Sequence, residues 1–319
     1  MSIYVSGSLA FDRIMNFPDT FDAHILPEKL HILNVSFIID DLVERRGGTA
    51  GNIAYTLALM GERPHVLASA GKDFADYAAY LESLDLPMEG IRILPDEFTP
   101  VCYLITDKIS NQINAFYPAA MRCPTLWKGE NLTPADWGII SPGNLDDMQT
   151  LPRIFRERKT PYIYDPGQSI AALVSLSPDG QILVDAIAGS AILLTNDYEL
   201  EMIVKATGKT RAELRALTGC LITTYGERGS EILDAEGSCS IGVAPAARVS
   251  DPTGAGDAYR SGLLKGLTHG LDVRNAARMG ATCASFCVEQ QGTQEHSFTL
   301  ESFLARHRSA FGDAPVVTW

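Results

Sequence analysis

The chain alternates between short, near-continuous apolar runs and longer stretches whose apolar positions recur every three or four residues. Ile3 to Val5 in IYVSGSLAFD, and the runs PHVLASAG, WGIISPG, PYIYDPG, AILLTND and CLITTYG, each end in Gly, Pro, Asn or Asp. Runs of this kind, closed by turn formers, predict buried strands. Between them NIAYTLALMG, YAAYLESL and YELEMIVKATG carry the helical period. Strands and helices in alternation predict an α/β fold, a doubly wound and mostly parallel sheet with helices on both faces. Ligands on such sheets sit beyond the carboxyl ends of the strands.

Two stretches break the alternation. Residues 13–46 and 99–123 hold β-like runs, HILNVSFII, VCYLITD and NAFY, with no helix between them. They predict a small β-sheet lid, leaving residues 1–12, 47–98 and 124–319 as the large domain. The lid runs are apolar on a sheet too small to bury both faces, so a homodimer joined lid to lid is expected.

Composition narrows the function. Lys plus Arg number 26 against 39 Asp plus Glu, a net charge of -13. Nucleic-acid binding by bulk charge is therefore not expected. A nucleotide held by backbone N–H groups and a metal remains open. No secretory signal, membrane span or Cys-x-x-Cys pair is read, and a reducing cytoplasm is the expected compartment. Cys283 and Cys287 share a helix face and are read as packing.

The densest chemistry is DPTGAGDAY at 251–259. Glycines at 254 and 256 let the backbone turn tightly and approach a ligand. From Asp257 the pattern turns helical, with Leu263, Leu264 and Leu267 as a stripe and Gly270 as a stop. The N–H groups of residues 254–257 then form an anion site at a helix start. Asp257 beside it can take the proton of a hydroxyl attacking phosphorus, while Gly254, Ala255 and Gly256 hold the phosphoryl charge. GGTAGNIAYTLALMG places Gly48 and Asn52 at another helix start, where Asn52 can bind a hydroxyl. Asp12 can take two hydrogen bonds from a vicinal diol. Asn196 and Glu199, in NDYE, can face one Mg²⁺ through its waters. Each also has a plainer reading: a helix cap for 196–199, 251–257 and Asn52, and a solvated loop position for Asp12. GKT at 208–210 lacks the leading glycine of a P-loop, GERGS is no nucleophile elbow, and the histidines form no metal pair.

Together and in this order, GGTAGN, GKDFADY, TNDYE, TTYGERG and DPTGAGDAY resemble the ribokinase-like (PfkB) family of carbohydrate and nucleoside kinases. Within it, VSGSLAFDRIMNFP, LPEKLHILNVSFIIDDL, AFYPAAM, DPTGAGDAYRSG and GTQEH are most similar to the bacterial adenosine kinases. The resemblance implies transfer of the γ-phosphoryl of Mg·ATP to the 5′-hydroxyl of adenosine, giving AMP, in cytoplasmic purine salvage. A ribose or fructose-like acceptor is the alternative, and a non-catalytic nucleoside sensor a second one. It implies Asp257 as the base and 254–256 as the anion hole. Ribose contacts would come from Asp12, Gly48 and Asn52, with Ser8 and Ser36 nearby. Phe116 would stack on adenine beside Met121 and Gln168. Thr224, Gly226 and Gly229 would line the ATP groove with Asn196, and Glu199 would serve Mg²⁺. Asp251 and Thr253 stand where relatives bind a monovalent cation such as K⁺. Two positions depart from the pattern: Cys102 replaces an aromatic supplied to the partner's site, and Ala172 replaces an Arg.

Overall fold

The predicted alternation is realised in the computed structural model, which describes residues 1–315, 317 and 318. The strands are β1 (Ile3–Ser6), β2 (Ala10–Asn16), β3 (Asp41–Gly47), β4 (His65–Gly71), β5 (Ile91–Leu94), β6 (Val101–Thr106), β7 (Gln112–Tyr117), β8 (Trp137–Ile140), β9 (Tyr162–Tyr164), β10 (Ile192–Asn196), β11 (Cys220–Thr224), β12 (Ser230–Asp234) and β13 (Gly237–Ile241). The helices are α1 (Thr49–Leu59), α2 (Ala75–Ser83), α3 (Leu145–Glu157), α4 (Ile170–Leu176), α5 (Gln181–Ile187), α6 (Asp197–Thr207), α7 (Arg211–Leu217), α8 (Ala255–Thr268), α9 (Val273–Cys287) and α10 (Leu300–Phe311).

Nine strands form the main sheet, in the order β13-β12-β11-β10-β9-β8-β1-β4-β5. It is parallel from β5 to β11, and β12 and β13 close one edge antiparallel. Successive residues of each strand face opposite sides, so a buried strand feeds two cores. Val5, Ile139, Ile163, Leu194 and Ile222 pack with α1, α2, α8, α9 and α10. Tyr4, Ile140, Tyr164, Leu193 and Leu221 pack with α3 to α7. The chain leaves β1 toward β4 and β5, then returns on its other side at β8. That reversal is a topological switch point, where a crevice opens beyond the strand ends.

Helices α8 and α9 pack closely because α8 presents small residues at a spacing of four. A Cβ on Gly262 would lie 2.5 Å from the carbonyl oxygen of Met279. Adding one methyl group there would therefore force the helices apart. Cys283 and Cys287 are buried in this interface, as the packing reading expects.

A separate four-stranded sheet has the order β3-β2-β6-β7. Its strands differ in two places from the sequence reading. HILNVSFII forms no strand; residues 33–39 are irregular, and the strand is the following Asp41–Gly47. The cause is an aromatic cluster: Phe37 packs on Phe17 and Phe21, which pulls this segment out of sheet pairing. Asp12 is not in a loop but within β2, paired with Arg45 on one side and Cys102 on the other.

Candidate active site

A cavity of about 840 Å³ opens beyond the carboxyl ends of β1 and β8 and is roofed by the small sheet. Its floor is locked by three connections. The N–H of Ser8 donates to the carbonyl of Pro142 at 3.0 Å and to Oγ1 of Thr49 at 3.2 Å. The Thr49 hydroxyl donates in turn to the same Pro142 carbonyl at 2.8 Å. The end of β1, the start of α1 and the turn after β8 are thus tied to one another.

The roof is read from strand register. Asp12 lies opposite Cys102, and Cys102 lies opposite Phe116, in one row across three strands. Side chains in such a row share a face, and all three line the cavity. Burial raises the Asp12 carboxyl to about 6. A diol that donates two hydrogen bonds to it would restore the ionised form. Met121, Gln168 and Ala172 also line this half.

The opposite end is built by the start of α8. Gly254 has φ 81°, a left-handed conformation that costs other residues about 1–2 kcal/mol. The chain turns there into α8, and the first-turn N–H groups have no partners within the helix. Thr253, Gly254 and Asp257 line the cavity, with Ala255 and Gly256 in the same turn. Asp257 is partly buried, and burial raises its carboxyl to about 6, against the pull of Arg260 and Asn52. A carboxyl poised there is ionised at neutral pH yet basic enough to take a proton.

Asn52 is brought to Asp257 by the packing of α1 on α8, fixed by a hydrogen bond from Ser261 Oγ to the Ile53 carbonyl at 3.1 Å. Its Nδ2 donates to Asp257 Oδ2 at 2.8 Å. Nε2 of the buried Gln294 donates to Asn52 Oδ1 at 3.0 Å and to the Tyr77 hydroxyl at 2.7 Å. The Tyr77 hydroxyl donates to the Gly47 carbonyl at 2.9 Å. This chain of donors sets which end of the Asn52 amide meets Asp257. The sequence alone gives no role to Gln294 or Tyr77, although they stand in GTQEH and GKDFADY. Their partners lie more than 200 residues away in sequence for the Gln294 contacts, a pairing that only the fold reveals.

Other sequence candidates fall outside this cavity. Ser36 is exposed in the irregular segment and is not among the lining residues, so its expected place beside the ribose is not seen. Asn196, Thr224, Gly226 and Gly229 gather at the carboxyl ends of β10 and β11, where Asn196 pairs with Thr224. Asn196 and Glu199 form a capping box: Asn196 Oδ1 accepts from the Glu199 N–H at 2.7 Å, and Glu199 Oε2 accepts from the Asn196 N–H at 2.8 Å. The plainer cap reading therefore holds for both.

They also fit a hydrated Mg²⁺. The cap uses only one oxygen of Glu199. Burial raises the Glu199 carboxyl, and the nearby Asp165 and Asp257 raise it further. Such a corner favours added positive charge. Among the described residues no group of three His, Cys, Asp or Glu side chains forms a metal cage. A cation that keeps its waters and rides on phosphates needs none. Asp251 differs. Its two oxygens already accept N–H bonds from Thr253 at 2.9 Å and Gly292 at 3.0 Å. These bonds hold its carboxyl below the usual range despite burial, and Arg45 adds nearby positive charge.

Comparison with known proteins gives one consistent answer. The profile of the pfkB family of carbohydrate kinases matches residues 19–299. The nucleoside kinase of Methanothermobacter thermautotrophicus is 29% identical over 321 residues, covering 98% of this chain and 97% of that protein. The structure of Burkholderia thailandensis nucleoside kinase in complex with inosine superposes with a TM-score of 0.86 at 32% identity, covering 98% of this chain and 99% of that one. The Methanocaldococcus jannaschii nucleoside kinase, an archaeal member of the ribokinase family, gives 0.80 at 27% identity, covering 97% and 99%. These matches span both sheets and the cavity between them, and the chain belongs to the pfkB family, the ribokinase-like ATP-dependent phosphotransferases.

Proposed function

We propose that the protein is a nucleoside kinase that transfers the γ-phosphoryl of Mg·ATP to the 5′-hydroxyl of a purine nucleoside. Adenosine, giving AMP, and inosine are its expected acceptors. One observation carries the reading. A single cavity is lined by a carboxylate, Asp12, a half-exposed aromatic ring, Phe116, and a second carboxylate at a helix start, Asp257. A ribose on Asp12 directs its base toward Phe116 and its 5′ end toward Asp257. Gln168 lines the base end. Its amide both donates and accepts, so it suits a 6-amino or a 6-oxo purine. Inosine is the ligand named for the Burkholderia relative.

In the reaction Asp257 takes the 5′-hydroxyl proton, the new O–P bond forms, and the bond to the β-phosphate oxygen breaks to release ADP. Asn52 keeps the Asp257 carboxylate oriented. The N–H groups at the start of α8 hold the phosphoryl oxygens. Mg²⁺, when bound near Glu199, neutralises phosphate charge.

A bare sugar is the weaker alternative, because Phe116, Met121, Pro118 and Leu176 give the cavity an apolar end that a pentose has no ring to fill. The intact base and anion hole argue against a sensor. A panel of adenosine, inosine, guanosine, ribose and fructose, read as ADP release, tests the reading.

The homodimer belongs to the same proposal. Leu42, Met15, Ile105 and Ile113 are cross-strand neighbours in a row on the roof face opposite Asp12 and Phe116. Leu42 is 60% exposed and Ile113 41%. Two such rows paired about a two-fold axis would cover each other.

A further inference from the structure

We propose that Arg260 is a second catalytic group, a built-in cation that contacts the transferred phosphoryl oxygens through Nη1, and that Asp165 is the positioning residue that aims it. The inference rests on the family's phosphotransfer chemistry and not on which acceptor is used.

Arg260 lies one turn after Gly256 in α8, so its side chain leans back over the first turn. There it meets Asp165, which follows β9 and is itself 1% exposed. Arg260 Nη2 donates to Asp165 Oδ1 at 2.8 Å, and Nε donates to Oδ2 at 2.5 Å. This two-bond fork fixes the plane of the guanidinium. It also occupies one edge of the group and leaves Nη1 to the other side.

The position of Nη1 is recorded by Gly256. A Cβ on that residue would lie 2.6 Å from Nη1. Gly256 is helical, without the positive φ that Gly254 requires. Its missing side chain therefore serves the close approach of Arg260, not the turn. The guanidinium fills the space beside the anion hole and adds a full charge to the partial charges of the N–H groups. The exposures agree: the Arg260 side chain is 13% exposed while its carboxylate partner is sealed. The cation keeps a little access from outside, while the carboxylate behind it has none.

Around it stand three carboxylates, Asp165, Asp257 and Glu199. Asp165 is matched by Arg260, so the pair leaves the base and the Mg²⁺ corner their own charges. As the O–P bond to the acceptor forms and the bond to ADP breaks, the phosphoryl oxygens meet Nη1 on one side and backbone N–H groups on the other. A guanidinium in this place is the single-chain counterpart of an arginine finger.

The test separates catalysis from support of the fold. Arg260→Gln is expected to lower kcat about 10³-fold. Because it strands the Asp165 charge, the decisive variant is Arg260→Gln with Asp165→Asn, which removes both charges together. In that variant kcat should stay down by about 10³-fold while the Kd for ADP, which lacks the transferred group, changes less than about threefold. Arg260→Lys, which keeps the charge but loses the fork, should fall between wild type and Arg260→Gln. Recovery of kcat to within about tenfold of wild type in the double variant, or ADP affinity falling in step with kcat, would show a purely structural pair. If the double variant is unfolded, Arg260→Lys decides alone: kcat within about twofold of wild type overturns the proposal. Absence of wild-type turnover with every acceptor would instead count against the kinase reading.

Discussion

Replacing Asp257 by Asn should cost activity and stabilise the fold, and the stabilisation should depend on pH. The isosteric amide keeps the shape, and its oxygen can still accept from Asn52. It cannot take a proton, so kcat should fall by about 10²- to 10⁴-fold. The stability side follows from the carboxyl raised from its ordinary 3.8 to about 6. The folded chain holds that proton more tightly than the unfolded chain. Stability from this group is therefore full below pH 4 and is lost as pH rises through about 6. Two pH units at about 1.4 kcal/mol each set an upper bound of about 3 kcal/mol at pH 7. The Asn variant escapes that loss. Its Tm should exceed that of wild type by several degrees at pH 7, on a scale of about 2–4 °C per kcal/mol, and the gap should close by pH 4. Thermal unfolding of both proteins at a series of pH values, with kcat measured on the same samples, checks both halves. A gap that stays constant from pH 4 to 7 would refute the burial argument, and a variant keeping more than about half its kcat would refute the base.

Four further outcomes follow. Phe116→Ala should raise KM for adenosine roughly 5- to 150-fold, the equivalent of about 1–3 kcal/mol of stacking, with little change in Tm because the ring is half exposed. Asn52→Ala removes a hydrogen bond that favours the ionised base, so the acid limb of the kcat/KM profile, expected near pH 6 in wild type, should move about one pH unit higher. Gly254→Ala must adopt φ 81° with its Cβ 3.0 Å from Thr293, and kcat should fall more than KM rises. Ile113→Asp should convert the proposed lid dimer to monomer by sedimentation; a wild-type mass of one chain, 34.6 kDa, at micromolar concentration would refute the dimer.

The main sheet was legible because its strands are buried on both faces and therefore read as unbroken apolar runs. The turn into α8 was legible because its glycines, acid and helix start are contiguous. The small sheet was harder. HILNVSFII has strand composition, yet Phe37 finds aromatic partners nearby, and the polar DLVERRG pairs with β2 instead. Ser36 lies in that irregular segment, exposed and away from the cavity lining. Asp12 looked like a loop residue because β2 begins only after the Gly7 turn, and its polar–apolar mixture matches an exposed sheet. Asp165, Gln294 and Arg260 share a different obstacle. Each bonds to a partner on a distant element, and no local spacing marks such a pair. Arg260 did carry one trace, a glycine four residues before it whose backbone does not need to be glycine.

Turnover of the acceptor panel by the purified protein with Mg·ATP tests the central claim most directly. The account predicts that adenosine and inosine release ADP with kcat/KM well above that for ribose or fructose, and that Phe116→Ala narrows this gap by weakening the nucleosides alone. Equal or better use of a bare sugar, or a gap untouched by loss of the Phe116 ring, would contradict it.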